Sequence, residues 1–178
     1  MSWMNADGLY VKMAKEEADV APGGQINFPN GSHAIEFEVS WSDLLSATDS
    51  ILGSVGSAGT NGVIVPKGAR IEAVEVLVKT AFTSSGTIGS STMLLGLIKT
   101  EDRTTELDYN GFLTASFVGS RLDAAGERTY VEVGSTGAGA LIGTTTAEEG
   151  VVSVSNSQHS SHPYTAGLAR VRIIYYRV

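Results

Sequence analysis

Ile35-Glu36-Phe37-Glu38-Val39-Ser40-Trp41 alternates apolar and polar side chains without a break. Successive side chains on a strand point to opposite faces, so a period of two predicts a β-strand with one face in a core and one in water. Ser42 to Leu52 is open to two readings: Leu44, Leu45, Ile51 and Leu52 line one face of a short helix, or the segment crosses in extended form. Gly53, Gly56, Gly59 and Gly62 then mark a flexible loop.

Downstream, Pro66-Lys67-Gly68 is a turn signal ahead of Ile71 to Thr80, where Val74, Val76 and Val78 share a face while Ile71 and Ala73 have the opposite parity. That shift predicts either a bulge near Ala73 or a strand covered on both sides. Met93-Leu94-Leu95-Gly96-Leu97-Ile98 is apolar at both parities, as expected of a central strand with a layer on each side. Four further β runs follow, at Thr129 to Val133, Ala140 to Ile142, Gly150 to Val154 and Leu168 to Val178. In the last, Val171, Ile173 and Tyr175 share one face, and Arg170, Arg172, Ile174 and Tyr176 the other. About eight short strands, glycine-rich turns and little helix predict an all-β fold, an antiparallel β-sandwich or jelly-roll-like domain over 34–178.

Residues 1–33 differ from this pattern. They mix Lys15-Glu16-Glu17, Pro22-Gly23-Gly24 and Pro29-Asn30-Gly31 with no sustained period, which reads as an extended N-terminal arm. Its apolar residues, Trp3, Met4, Leu9, Tyr10, Val11 and Met13, exceed what a solvated tail carries, so the arm is expected to dock on a partner or on its own domain.

Composition narrows the function classes. A chain of 178 residues falls in the single-domain range. It has no cysteine, which removes disulfides, thiolate metal sites and cysteine nucleophiles. Charged residues are 17% of the chain and glycines number 21, so the surface is polar but weakly charged. A formal net charge of −7, with the 12 Lys and Arg scattered, argues against nucleic acid as a partner. No apolar run is long enough for a membrane helix and no export signal is read at the start, so no membrane partner is expected.

Candidate chemistry is sparse. The glycine loops Gly53 to Gly62 and Gly134 to Gly139 lack the strand-to-helix setting of a phosphate cradle, and glycines there serve turns. His159 and His162 lie in a polar loop, Ser155 to Pro163, and are expected to be solvated; metal ligation is not expected. Glu101, Asp102, Glu106 and Asp108, with Arg103 among them, read as a solvated loop without a calcium-binding pattern. No Gly-x-Ser-x-Gly elbow has a plausible setting. The expectation is therefore a protein without catalytic residues, metal or cofactor.

Five stretches, taken in order, carry a resemblance: Ala6-Asp7-Gly8-Leu9-Tyr10-Val11-Lys12, Val65-Pro66-Lys67-Gly68-Ala69-Arg70-Ile71-Glu72, Thr104-Thr105-Glu106-Leu107-Asp108-Tyr109, Thr136-Gly137-Ala138-Gly139-Ala140-Leu141-Ile142-Gly143-Thr144, and Ala169-Arg170-Val171-Arg172-Ile173-Ile174-Tyr175-Tyr176-Arg177. Together they resemble the small virion proteins of tailed bacteriophages, including cyanophages, that decorate or cement the capsid. The resemblance implies a β-sandwich on the outside of the head that bridges major capsid protein subunits, often as a homotrimer, with no catalytic residues. Trp3, Leu9, Tyr10 and Val11 of the arm, with Arg170, Arg172 and Tyr176 of the last strand, are the expected partner contacts, since Arg and aromatic residues are favoured at interfaces. The alternative is a carbohydrate-binding jelly-roll module of a head fibre or tail accessory protein, presenting Tyr109, Phe112, Tyr130 or Tyr164 to a glycan.

Overall fold

A computed structural model of the chain describes residues 2–4, 10–12, 23–27, 31–44, 50–51, 63–101 and 105–177. The glycine loop from Gly53 to Gly62 lies outside them, as do Leu9, Asp102 and Arg103. Twelve strands are formed among the described residues: β1 (Ser2–Met4), β2 (Tyr10–Lys12), β3 (Gly23–Asn27), β4 (Ser32–Ser40), β5 (Ser50–Ile51), β6 (Ile64–Val65), β7 (Ala69–Ser84), β8 (Leu94–Lys99), β9 (Glu106–Leu113), β10 (Arg128–Glu132), β11 (Gly150–Ser155) and β12 (Tyr164–Arg177). Eight of these, β3, β4 and β7 to β12, are five residues or longer. The fold is all-β, and its pairings are antiparallel throughout.

One sheet has seven strands in the order β1-β2-β3-β4-β12-β7-β10, and the other runs β5-β11-β8-β9, with β6 also paired to β11. Their facing sides make one core. Ile35, Phe37 and Val39 of β4, Val74, Val76 and Val78 of β7, and Val171, Ile173 and Tyr175 of β12 pack in the same buried cluster as Leu95 and Leu97 of β8, Phe112 of β9, and Val152 and Val154 of β11. Each such side chain contributes about 1.5–3 kcal/mol by leaving water, and this is the β-sandwich that the alternating pattern anticipates.

The parity shift in β7 is a bulge. Tyr175 pairs with Ile71 and Ile174 with Ala73, so Glu72 has no counterpart on β12. The extra residue lets Ile71 and Val74 both enter the core. Met93 to Ile98 are all buried, as a run apolar at both parities requires, and within its sheet β8 lies between β11 and β9. Gly96 is required there because a Cβ would fall 2.1 Å from the Asp108 carbonyl oxygen, where β9 bows out between its pairings at Asp108 and Leu113.

Several expectations change. Ala140 to Ile142 is not a strand but a series of turns, in which the Ile142 amide donates to Gly139 O and Gly143 adopts φ +87°. Ile142 is buried because the turn plugs the core, so its apolar character reports packing rather than pairing. Residues 106–108, read as loop, open β9, because pairing with β8 outweighs their polarity. Of the ambiguous 42–52 segment, the described residues form a 3-10 turn at Trp41–Leu44, with Asp43 Oδ2 accepting from the Ser40 amide at 2.7 Å, and the short strand β5, while Leu45 and Leu52 lie outside them. Segment 1–33 contains three strands, β1, β2 and β3, that pair in series onto β4.

Candidate functional site

Because Ile35, Phe37 and Val39 enter the core, Glu36 and Glu38 stand on the opposite face of the seven-stranded sheet, and the antiparallel register places Arg172 and Arg170 directly across from them on β12. Arg172 faces Glu75 of β7 on its other side, and Glu75 faces Tyr130 of β10. A row Glu36-Arg172-Glu75-Tyr130 therefore crosses four strands.

These side chains are joined. Arg172 donates from Nε (2.9 Å) and Nη2 to Glu36 Oε2, and its Nη1 lies 3.4 Å from Glu75 Oε2. Arg128 Nε is 3.1 Å from Glu75 Oε1, and Arg170 Nε is 3.8 Å from Glu36 Oε2. Lys79 and Glu38 add a more exposed pair at 3.0 Å. Glu75, 8% exposed, is the most enclosed member, and two guanidinium groups offset the cost of burying its charge. The face thus carries a set of cross-strand ion pairs that hold one another's side chains in place.

The adjacent register row is apolar at most positions. Trp3 pairs with Val11, Val11 with Ile26, Ile26 with Ala34, Ala34 with Ile174, and Ile174 with Ala73, before the row ends at Glu132. Of the expected contact residues, Trp3, Tyr10, Val11, Arg170, Arg172 and Tyr176 all belong to this one sheet, while Leu9 lies outside the described residues. Arg170, Arg172 and Tyr176 are half-buried, and the two arginines are paired within the chain.

At the β10 end of the sheet, Tyr130 is 51% and Val133 68% exposed. With Arg70, Glu72 and Glu132 they border a shallow hollow of about 240 Å³. The Tyr130 hydroxyl is held above its ordinary range by partial desolvation first, then by the carboxylates of Glu132, Glu72 and Glu75 and by Tyr176. A second hollow, of about 340 Å³, lies between Lys67, Lys99, Glu101 and Glu148, with Lys99 and Glu148 3.7 Å apart.

Two other expectations about side chains are corrected. Phe112 and Tyr164 are buried in the core, Tyr164 edge-on to Phe82, and neither is presented to a glycan. Tyr109 and Tyr130 are exposed, but on different sheets. The 155–163 loop is anchored rather than simply solvated: buried Asn156 accepts through Oδ1 from the Thr92 amide at 3.1 Å and the Gln158 amide at 3.0 Å, and His162 Nδ1 accepts from the Thr87 amide at 3.0 Å. Among the described residues no three His, Cys, Asp or Glu converge as metal ligands, and no helix is long and apolar enough to cross a membrane.

Sequence reasoning placed Arg170 and Arg172 on one face but missed their partners Glu36 and Glu75, and Arg128, which shares Glu75 with Arg172. The signal was present as matched signs, acidic at alternate positions of β4 and basic at alternate positions of β12, yet nothing local said that these strands adjoin. No family model matches this chain, and no curated protein or solved structure matches it either.

Proposed function

We propose that this chain is a virion structural protein, a capsid decoration or cement protein that binds the outer surface of a phage head and bridges major capsid protein subunits. The observation that carries the reading is the seven-stranded sheet: one continuous surface takes in the paired arginines, Tyr176 and the strands of the N-terminal segment. A pre-paired polar face suits a broad contact with another protein, since its long side chains lose little freedom on docking. Homotrimers on the head would multiply weak contacts into firm attachment, and the role requires neither a catalytic residue nor a cofactor.

The test is rebinding. Purified protein is mixed with phage heads stripped of their surface proteins, and bound protein is counted after sedimentation and by imaging. The full chain is expected to co-sediment and add density on the capsid lattice, while a chain lacking residues 1–30 loses binding. Full-length protein that leaves the heads bare refutes the reading, and a truncated chain that binds equally well removes the N-terminal segment from it.

A further inference from the structure

The seven-stranded sheet ends at β10, and this edge has a pattern suited to a second copy of itself. Glu127 O accepts from the Val78 amide on β7, while Glu132 directs its amide to Ser135 Oγ at 3.1 Å and its carbonyl to the Ser135 amide at 2.9 Å, away from β7. Main-chain direction alternates along an antiparallel strand, so Arg128 and Tyr130 share the outward direction of Glu132. Among the described residues no hydrogen bond takes up their outward amides and carbonyls. The open edge is therefore two rungs long, stopped at one end by Ser135.

We infer that β10 pairs antiparallel with β10 of a second copy, with Arg128 opposite the other copy's Tyr130 and the two-fold axis at Thr129. This register uses the two open rungs and leaves the Ser135 cap intact. It is also charge-complementary. Tyr130 borders a hollow with Glu72, Glu132 and Arg70, where carboxylates outnumber the one guanidinium, and Arg128 of the arriving copy, 60% exposed where it pairs with its own Glu75, reaches that negative field over the ring. Glu132 lies diagonally across from the same arginine, within reach of long side chains. Charges on an edge strand normally discourage pairing, but Arg128 near one end and Glu132 at the other repel a parallel copy and attract an antiparallel one.

An interface this short falls below the roughly 1,000 Å² of a stable pair, so it is weak in solution and gains strength only where copies are already held side by side. The inference goes beyond the head-binding reading and stands without it.

Cysteine cross-linking tests it, because the chain has no cysteine of its own. In the proposed register the two Thr129 residues form a non-hydrogen-bonded pair with Cα atoms about 4.5 Å apart, inside the range a disulfide spans. Full-length Thr129→Cys is expected to form covalent pairs at least tenfold faster than Ala115→Cys, an exposed control, on non-reducing gels. Adding Tyr130→Pro, which removes an outward amide that β7 does not use, should abolish the advantage; Arg128→Glu should reduce it severalfold and serves if the proline variant fails to fold. Equal rates for Thr129→Cys and the control, or an advantage unmoved by the second substitution, overturn the inference. Because the readout is a covalent pair in solution, it is independent of whether the protein binds phage heads.

Discussion

At Gly96 the sandwich leaves no space for one more carbon. A Cβ there would sit 2.1 Å from Asp108 O and 2.2 Å from the Tyr109 carbonyl carbon, both main-chain atoms that cannot swing aside. Gly96→Ala is expected to cost about 3 kcal/mol, as overpacking in a core does, whereas Gly126→Ala, at φ +86° with open space around it, should cost about 1 kcal/mol from backbone strain alone. Urea unfolding of the two variants checks the contrast. His33 offers a second test. It stacks on Tyr175 at 5.3 Å, and its imidazole is held below its ordinary pKa by burial and then by the positive charge of Arg177. The unfolded chain therefore binds this proton more readily than the native one. The stability involved is fully present above about pH 6.5, the unfolded value, and is lost as pH falls through the lower folded value. His33→Gln should flatten that part of the denaturant midpoint's fall between pH 8 and pH 5.

At the level of elements, β12 is the hub: it pairs with β4 along one side and β7 along the other, and it brings Arg172 between Glu36 and Glu75. Arg172→Ala is expected to destabilise by about 1–2 kcal/mol, since charge-assisted bonds to a carboxylate as enclosed as Glu75 are weakened. Lys79→Ala, which breaks a pair with both partners nearly half exposed, should change stability by less than about 0.5 kcal/mol. Thermal unfolding of both variants would separate the two cases. The strands themselves were largely legible. The alternation over 35–40, the displaced parity at Ile71 and Ala73, and the two-sided apolar run at 93–98 are local patterns, and each has its counterpart in β4, the β7 bulge and β8; Trp41, read as the next inward residue, instead opens the 3-10 turn and is 38% exposed, because the strand ends at Ser40. The failures also have a physical pattern. Ala140 to Ile142 is apolar because a turn fills the core, and Glu106 to Asp108 is polar because one side of β9 stays wet.

For the whole molecule, stability should be graded from the shared core outward. Amides of Val171 and Ile173, in β12 with a strand on each side, are expected to exchange with solvent most slowly, while those of Arg128 and Tyr130 on the open edge exchange fastest among the strands of the sandwich. Hydrogen exchange followed residue by residue measures this, and a protected Tyr130 amide in dilute solution would contradict the edge as described. Reading residues in order was enough to establish an all-β chain free of thiols, with one apolar and one mixed face on its last strand, because side-chain alternation and composition are properties of neighbours along the chain. Only the tertiary structure decided that Glu36 and Glu75 meet Arg172, that Phe112 and Tyr164 vanish into the core while Tyr130 stays outside, and that Gly96 lies against the β9 main chain. Those facts depend on which strands become neighbours, and that choice comes from burying the two inner faces against each other, a balance struck between residues far apart in sequence.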